Sequence, residues 1–332
     1  MNLTPLKEGA PMFPALEAFA SGHLGTPDGQ AIYWECSGNP LGVPALYLHG
    51  GPGSGIMSGY RRHFDPAVFL IVSFEQRGCG RSRPRATDPA GSLQANTTPH
   101  LIADIELLRR HLDVQRWLIY GASWGTTLAL AYAQAHPEQV AALVLAAVTT
   151  TTAAEVAWLT ESMAAIFPAE WAPFAEAAEA RAGESLIDAY HRNITDPDLT
   201  RRAAAAQAWC AWEDVHVSLA PNNAPNPRFQ DPEFRLLFAT LVIHYWRHAA
   251  FLPDKAILSN MHKIRHLPAV LIHGRLDISS PLATAWALHQ DWPGSELVVV
   301  DQEGHGGKLM VAHVTAAVAR LQAGLGFESA RT

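Results

Sequence analysis

Hydrophobic residues in this chain fall into short unbroken runs, separated by stretches of helical periodicity. The runs at residues 31–36, 44–49, 68–74, 116–120, 140–146, 268–273 and 296–300 are rich in β-branched, leucine and aromatic residues. Runs of that length and composition read as strands, and their near-continuous apolarity suits strands covered on both faces. Between them, Leu101, Ile105, Leu108 and Leu112 recur at helical spacing within residues 96–112, with Asn96 placed as the cap. Residues 126–135 form a second apolar helix. Alternation of strand and helix implies an α/β fold built on a mostly parallel sheet with helices on both faces.

From residue 149 to 264 the pattern changes. The chain becomes alanine-rich and helical, carries Trp158, Trp171, Trp209, Trp212 and Trp246, and is broken by the proline-rich run 221–227. Strand texture resumes after this excursion. The expected organisation is a sheet domain from residues 1–148 and 265–332, with 149–264 inserted as a helical cap. A tryptophan set at such spacing fills a small core, lines a lid that excludes water from a site, or divides between the two.

Between the run 116–120 and the helix 126–135 lies Gly121-Ala122-Ser123-Trp124-Gly125. A serine on a strand-to-helix turn with glycines two residues to either side matches the nucleophile elbow of the α/β-hydrolases, where the turn leaves no room for flanking Cβ atoms. The pattern alone recurs in roughly one chain in ten of this length, so the reading needs support from elsewhere in the chain. The run 44–49 leads into Gly50-Gly51-Pro52-Gly53, a loop whose bare backbone can approach a substrate; Gly51 and Trp124 are the expected backbone donors to an oxyanion. The loop lacks the Lys-Ser/Thr ending of a phosphate-binding loop. Asp277 follows the strand 268–273, and His305 follows 296–300. The order Ser…Asp…His, with acid and base just past strand ends, is that of the α/β-hydrolases. Asp254, Asp291 and Asp301 are rival acids, and His289 and His313 rival bases, each in a poorer context.

Composition narrows the alternatives. The 332 residues are 48% hydrophobic and 17% charged, enough for a core plus an inserted subdomain, and the net charge of −7 argues against a nucleic-acid backbone binder. Cys36, Cys79 and Cys210 are odd in number and far apart, which suits small buried residues better than disulfides or a zinc site. The sixteen histidines show no H-E-x-x-H or other ligand spacing, so neither metal nor cofactor is expected. No segment reaches the roughly 18 apolar residues of a membrane span. Residues 1–22 lack a signal-peptide pattern, so a cytoplasmic location is expected.

Several segments resemble the proline iminopeptidases, which are serine peptidases of the α/β-hydrolase fold. They are His49-Gly50-Gly51-Pro52-Gly53, Glu75-Gln76-Arg77-Gly78-Cys79-Gly80-Arg81-Ser82, Asn96-Thr97-Thr98, residues 121–138, Ala208-Trp209-Cys210-Ala211-Trp212-Glu213, and His273-Gly274-Arg275-Leu276-Asp277. They span most of the chain in family order. The resemblance implies a Ser123–His305–Asp277 triad and release of an N-terminal residue, typically proline, from small peptides. It further implies that Glu213 meets the substrate's ammonium group. The family's second amine-holding glutamate precedes a His-Tyr pair, and Val242 stands at that position here, ahead of Ile243-His244-Tyr245. The family's Asp-Gln-Arg-Gly motif begins here with Glu75. Its arginine and aromatic after the post-elbow strand are replaced by Ala146-Ala147-Val148-Thr149. The alternatives are an esterase, an amidase, an aminopeptidase of other specificity, or a non-catalytic binding protein on the same scaffold. The expected partner is a small peptide, amide or ester; oligomeric state is left open.

Overall fold

The computed structural model describes residues 9–324, apart from 90, 92, 218 and 221–223. The outer ends of the expected domains and part of the proline-rich run 221–227 lie outside the described residues.

Eight strands form one sheet: β1 (Ala20–Gly25), β2 (Ala31–Gly38), β3 (Val43–Leu48), β4 (Phe69–Phe74), β5 (Trp117–Ala122), β6 (Val140–Ala146), β7 (Ala269–Gly274) and β8 (Ser295–Val300). Their order is β1-β2-β4-β3-β5-β6-β7-β8. The pairings β1–β2 and β2–β4 are antiparallel, and all others are parallel. β4, β6 and β7 are buried at every position, as the unbroken apolar runs imply. β1 lacks such a signal: its sequence ASGHLG alternates half-buried and exposed residues at the sheet edge, so hydrophobic runs do not reveal it.

Two layers of helices cover the sheet. On one face α1 (Thr98–His111), α2 (Trp124–Ala135), the short α8 (Ala256–Ser259) and α9 (Leu282–Gln290) pack on Leu46, Val72, Ile119, Leu143 and Leu271. On the other, α10 (Lys308–Gly324) applies Met310, Val314 and Val318 to Ile71, Leu118, Val144 and Ile272. Burying a large aliphatic side chain is worth about 1.5–3 kcal/mol, so the two cores supply the main driving force for the layered arrangement. Asn96 is not the cap of α1. Thr97 holds that position, while the buried Asn96 side chain donates to Arg77 O at 2.9 Å and accepts from Tyr245 Oη at 2.7 Å. Its polar atoms serve the contact between the sheet unit and a distant helix.

Between β6 and β7 run α3 (Ala153–Thr160), α4 (Pro168–Ala177), α5 (Leu186–Ile194), α6 (Leu199–His216) and α7 (Pro232–Arg247). They enclose a core of their own around Phe174, Tyr190, Trp209, Trp212, Phe238 and Ile243. The indole N–H of Trp158 donates to Ile278 O at 2.8 Å, which ties this core to the loop that carries Asp277. Among the described residues no helix is long and apolar enough to cross a membrane.

The chain leaves β3 toward β4 on one side and leaves β5 toward β6 on the other. Neighbouring strands whose connections diverge open a crevice at their C-terminal ends, where open α/β sheets bind ligands.

Candidate active site

Ser123 occupies that crevice, directly after β5. Its backbone stands at φ 54°, ψ −126°, a conformation that ordinary residues rarely adopt. Tight packing around it keeps it there. A Cβ on Gly121 would lie 2.5 Å from Gly125 O, and one on Gly125 would run into Leu48 O. Both glycines of the elbow are therefore required by approach of backbone to backbone, and the serine hydroxyl is lifted clear of the sheet.

The loops after β8 and β7 bring the base and the acid to this hydroxyl. His305 Nε2 is 2.8 Å from Ser123 Oγ, and His305 Nδ1 is 2.9 Å from Asp277 Oδ2. Asp277 is fully buried, and its other oxygen accepts Ser280 N–H at 2.9 Å. Because the carboxylate can only accept, Nδ1 carries the proton and Nε2 presents its lone pair to the serine. Burial pushes the His305 pKa down, but the charge and hydrogen bond of Asp277 outweigh it, with a further contribution from Glu213, and the pKa ends above 6.5. The arrangement can take a proton from Ser123 and hold it as a stabilised imidazolium. The two loops are tied by Leu276 N–H donating to Glu303 O at 2.9 Å.

The rival residues lie elsewhere. Asp254, Asp291 and Asp301 are exposed. His289 lies in α9 and pairs with Ser295 Oγ at 2.8 Å, and His313 lies in α10.

Gly51 and Trp124 line the cleft together with Ser123 and His305. Trp124 is the first residue of α2, so its N–H is one that the helix leaves without an internal acceptor, at the positive end of the helix dipole. Gly51 holds φ 110°, where an L side chain is strained. Gln76 connects the two loops: its Nε2 donates to His49 O at 2.9 Å, and its Oε1 accepts the Trp124 indole N–H at 2.9 Å. His273 plays a comparable part under the acid. Its Nδ1 accepts Val148 N–H at 3.0 Å and its Nε2 donates to Ser280 O at 2.6 Å, so the ring is neutral and buttresses the Asp277 turn. Neither residue carries a spacing signal that sequence reasoning recognises.

The cleft opens to solvent and offers about 420 Å³ of space between atoms, solvent at its mouth included. Val156, Leu159 and Trp246 form its apolar wall, and Glu213 and Glu155 bring carboxylates to it. The two acids differ in their engagement. Glu155 is saturated: it accepts from Thr150 N and Thr152 N, and from the hydroxyls of Thr149, Thr150, Thr152 and Thr284. It clasps the turn after β6 and caps α3. Glu213 Oε2 is buried and has no hydrogen-bond partner among the described residues; the nearest ring nitrogen, His216 Nε2, stands 3.4 Å away without hydrogen-bond alignment.

Val242 does not stand in this cleft. It is fully buried in the core of α3–α7, one turn before Trp246 on α7, and Trp246 is the residue that reaches the cleft. Four of the five tryptophans of the excursion serve its core without reaching the cleft, and Trp246 alone among them contributes to both. Cys36, Cys79 and Cys210 are free and buried.

Residues 44–309 match the family model of the alpha/beta hydrolase fold. The chain is 44% identical over 299 residues to a probable proline iminopeptidase of Streptomyces coelicolor, covering 89% of this chain and 92% of that protein. It is 42% identical over 297 residues to a proline iminopeptidase of Arabidopsis thaliana, covering 89% of this chain and 77% of that protein. Among solved structures, a proline iminopeptidase from Mycobacterium smegmatis superposes with TM-score 0.62 at 18% identity, over 92% of this chain and 99% of that one. An esterase from Exiguobacterium antarcticum superposes with TM-score 0.59 at 19% identity, over 86% and 93%. These distant structures speak for the fold; the closer sequence relatives speak for the family. The chain is an enzyme of the α/β-hydrolase fold and belongs to the proline iminopeptidase family.

Proposed function

We propose that the cleft releases the N-terminal residue of small peptides, with proline preferred, through an acyl-enzyme on Ser123. The observation that carries this reading is the buried Glu213 Oε2, which accepts no hydrogen bond among the described residues and lies in the same cleft as Ser123 and His305. A buried carboxylate oxygen without a hydrogen bond is costly, and a cation that reaches it recovers part of that cost. The ammonium of a peptide N-terminus is such a cation. With the ammonium on Glu213 and a pyrrolidine ring against Val156, Leu159 and Trp246, the first carbonyl carbon is the one presented to Ser123.

His305 Nε2 takes the Ser123 proton as Oγ bonds to the carbonyl carbon. The oxygen that becomes negative is met by Gly51 and Trp124 N–H, a contribution of a few kcal/mol in a site that excludes water. Collapse of the tetrahedral intermediate breaks the C–N bond, and His305 gives its proton to the leaving amine. A water, deprotonated by the same ring, then cleaves the acyl-enzyme and frees the amino acid. Residues 149–264 act as the cap of this chemistry, closing over the catalytic unit formed by 1–148 and 265–332.

Glu213→Gln keeps the shape and removes the charge. A charge-assisted hydrogen bond is worth about 1.5–3 kcal/mol, so kcat/KM for a prolyl-naphthylamide should fall roughly ten- to a hundredfold. On the pH plateau, where His305 is neutral in both proteins, an uncharged acyl ester should be hydrolysed as before. Equal losses on both substrates would overturn the assignment of Glu213.

A second reading, an esterase, amidase or aminopeptidase of other specificity, is favoured by one feature. Glu155 is saturated, so Glu213 alone offers a free carboxylate oxygen. Pro-, Ala- and Leu-naphthylamides assayed beside short acyl esters decide between the readings.

A further inference from the structure

We propose that His191, His244 and His248 form a binding site for a late first-row divalent cation, zinc foremost, between α5 and α7. The site is separate from the cleft: none of the three residues lines it. One nitrogen from each ring lies within 4.8 Å of the other two. His244 and His248 are four residues apart on α7 and so share one face of that helix. His191 meets them from α5, with ring centroids 6.2 and 5.6 Å from theirs.

The hydrogen bonds around two of the rings, His244 and His248, set their tautomers for ligation. His244 Nε2 is 2.9 Å from Asn96 O, and His248 Nδ1 is 2.8 Å from His244 O. A carbonyl oxygen only accepts, so each of these nitrogens carries the proton and the opposite nitrogen carries a lone pair. His244 Nδ1, the lone-pair nitrogen, is buried and has no hydrogen-bond partner among the described residues, in a residue that is 6% exposed. A ring N–H donated to a backbone carbonyl with the other nitrogen left free is the usual outer-shell arrangement of a histidine that binds a metal. Imidazole sets of this kind suit zinc, copper and nickel.

The cluster is open by comparison with a loaded site. Zinc–nitrogen bonds of about 2.0–2.1 Å at tetrahedral angles place ligand nitrogens about 3.4 Å apart, so the rings draw together by an ångström or so on loading. His191 and His248 are only half-buried and have room to do this, while His244 is held by Asn96. Arg247 occupies the lone pair of His248, with Nη1 3.2 Å from its Nε2, and pairs through Nε with Asp188 at 3.1 Å. Its guanidinium competes with a cation for the site. Loading therefore moves Arg247 off His248, with Asp188 left as nearby negative charge and water free to take the fourth position.

Stripping the untagged full chain of metal and titrating it with Zn²⁺ by calorimetry, and with Co²⁺ by its visible absorption, tests the proposal. The expected result is one ion per chain, a Co²⁺ band in the visible, and a melting temperature that rises with Zn²⁺ concentration. His191→Gln and His248→Gln, the two half-buried positions, should each weaken Zn²⁺ binding at least tenfold, and Arg247→Gln should tighten it severalfold. Circular dichroism confirms that each variant is folded. Absence of stoichiometric binding by the wild type at about 100 µM Zn²⁺, or the same affinity in both histidine variants as in the wild type, overturns the site.

Discussion

Gln76 accepts the indole N–H of Trp124 at 2.9 Å, and thereby couples the loop after β4 to the residue that heads α2. Its amide nitrogen holds His49 O on the glycine-rich loop at the same distance. The two backbone groups assigned to the oxyanion, Gly51 and Trp124, thus owe their separation in part to one side chain that touches no substrate. Gln76→Leu removes both bonds while keeping bulk. Two buried polar groups lose their partners, each at about 1–3 kcal/mol, so the melting temperature should drop by several degrees. Because the oxyanion forms only in the transition state, kcat should fall about tenfold or more on charged and uncharged substrates alike, with KM little changed. A variant with normal kcat and a lower melting temperature would show Gln76 to be structural only.

In the proposed mechanism Ser123, His305 and Asp277, joined by hydrogen bonds of 2.8 and 2.9 Å, act as one unit. Ser123→Ala should abolish labelling by a fluorophosphonate probe, and both Ser123→Ala and His305→Ala should leave only the background of about 10³–10⁴ over water that binding and the oxyanion donors supply. Asp277→Asn is the subtler test. An amide in place of the carboxylate faces His305 Nδ1 or Ser280 N–H with a donor, so the ring loses the tautomer that presents Nε2 to serine. A loss of about 10⁴ in kcat is expected, read from steady-state kinetics at fixed pH.

The pH dependence follows from His305. Its pKa lies above 6.5 because Asp277 overrides burial, with Glu213 adding to the same effect. As the proposed base, His305 acts with a neutral ring, so kcat/KM should rise with pH through a value above 6.5. Removing the negative charge of Glu213 withdraws stabilisation from the imidazolium, and the acid limb of Glu213→Gln should shift to lower pH. A neutral ester is the substrate for this comparison, since it has no amine to titrate. Coincident limbs in wild type and variant would place Glu213 outside electrostatic reach of His305.

Legibility of the sequence followed the physics that each feature obeys. Strands buried on both faces are apolar without interruption, so β4, β6 and β7 were plain, and the residues that follow strand ends led to Asp277 and His305. Gly121 and Gly125 were legible because only glycine fits the elbow. β1 was not, since an edge strand with one solvated face needs few apolar residues. Gln76, His273 and Glu155 were missed for another reason: each acts through hydrogen bonds to backbone groups that are distant along the chain or scattered about a turn, and no periodicity records those. Asn96 looked like a cap because its type suits one, yet its amide is used to join Arg77 and Tyr245. The histidine cluster escaped notice because one member comes from a different helix and the other two lack the intervening glutamate of the familiar zinc motif.

At Val242 the resemblance and the local packing point to different outcomes for one substitution. The resemblance implies that it stands where the family has a second amine-holding glutamate, and restoring that glutamate looks like a way to raise activity on prolyl substrates. The structure argues for the opposite outcome. Val242 is fully buried among Phe238, Ala239 and Ile243, and it is Trp246, one turn further along α7, that lines the cleft. Val242→Glu would place a carboxylate in an apolar core, where an unpaired charge costs about 3–5 kcal/mol, a large part of a typical domain's 5–15 kcal/mol. Thermal unfolding should show a drop of many degrees, and kcat/KM for a prolyl-naphthylamide should not rise. Val242→Gln separates charge from bulk: it should destabilise less than glutamate, because its amide carries no charge to desolvate. If Val242→Glu instead folds with wild-type stability and gains prolyl activity, its carboxylate has reached the substrate, and the cleft is wider in solution than its lining residues imply.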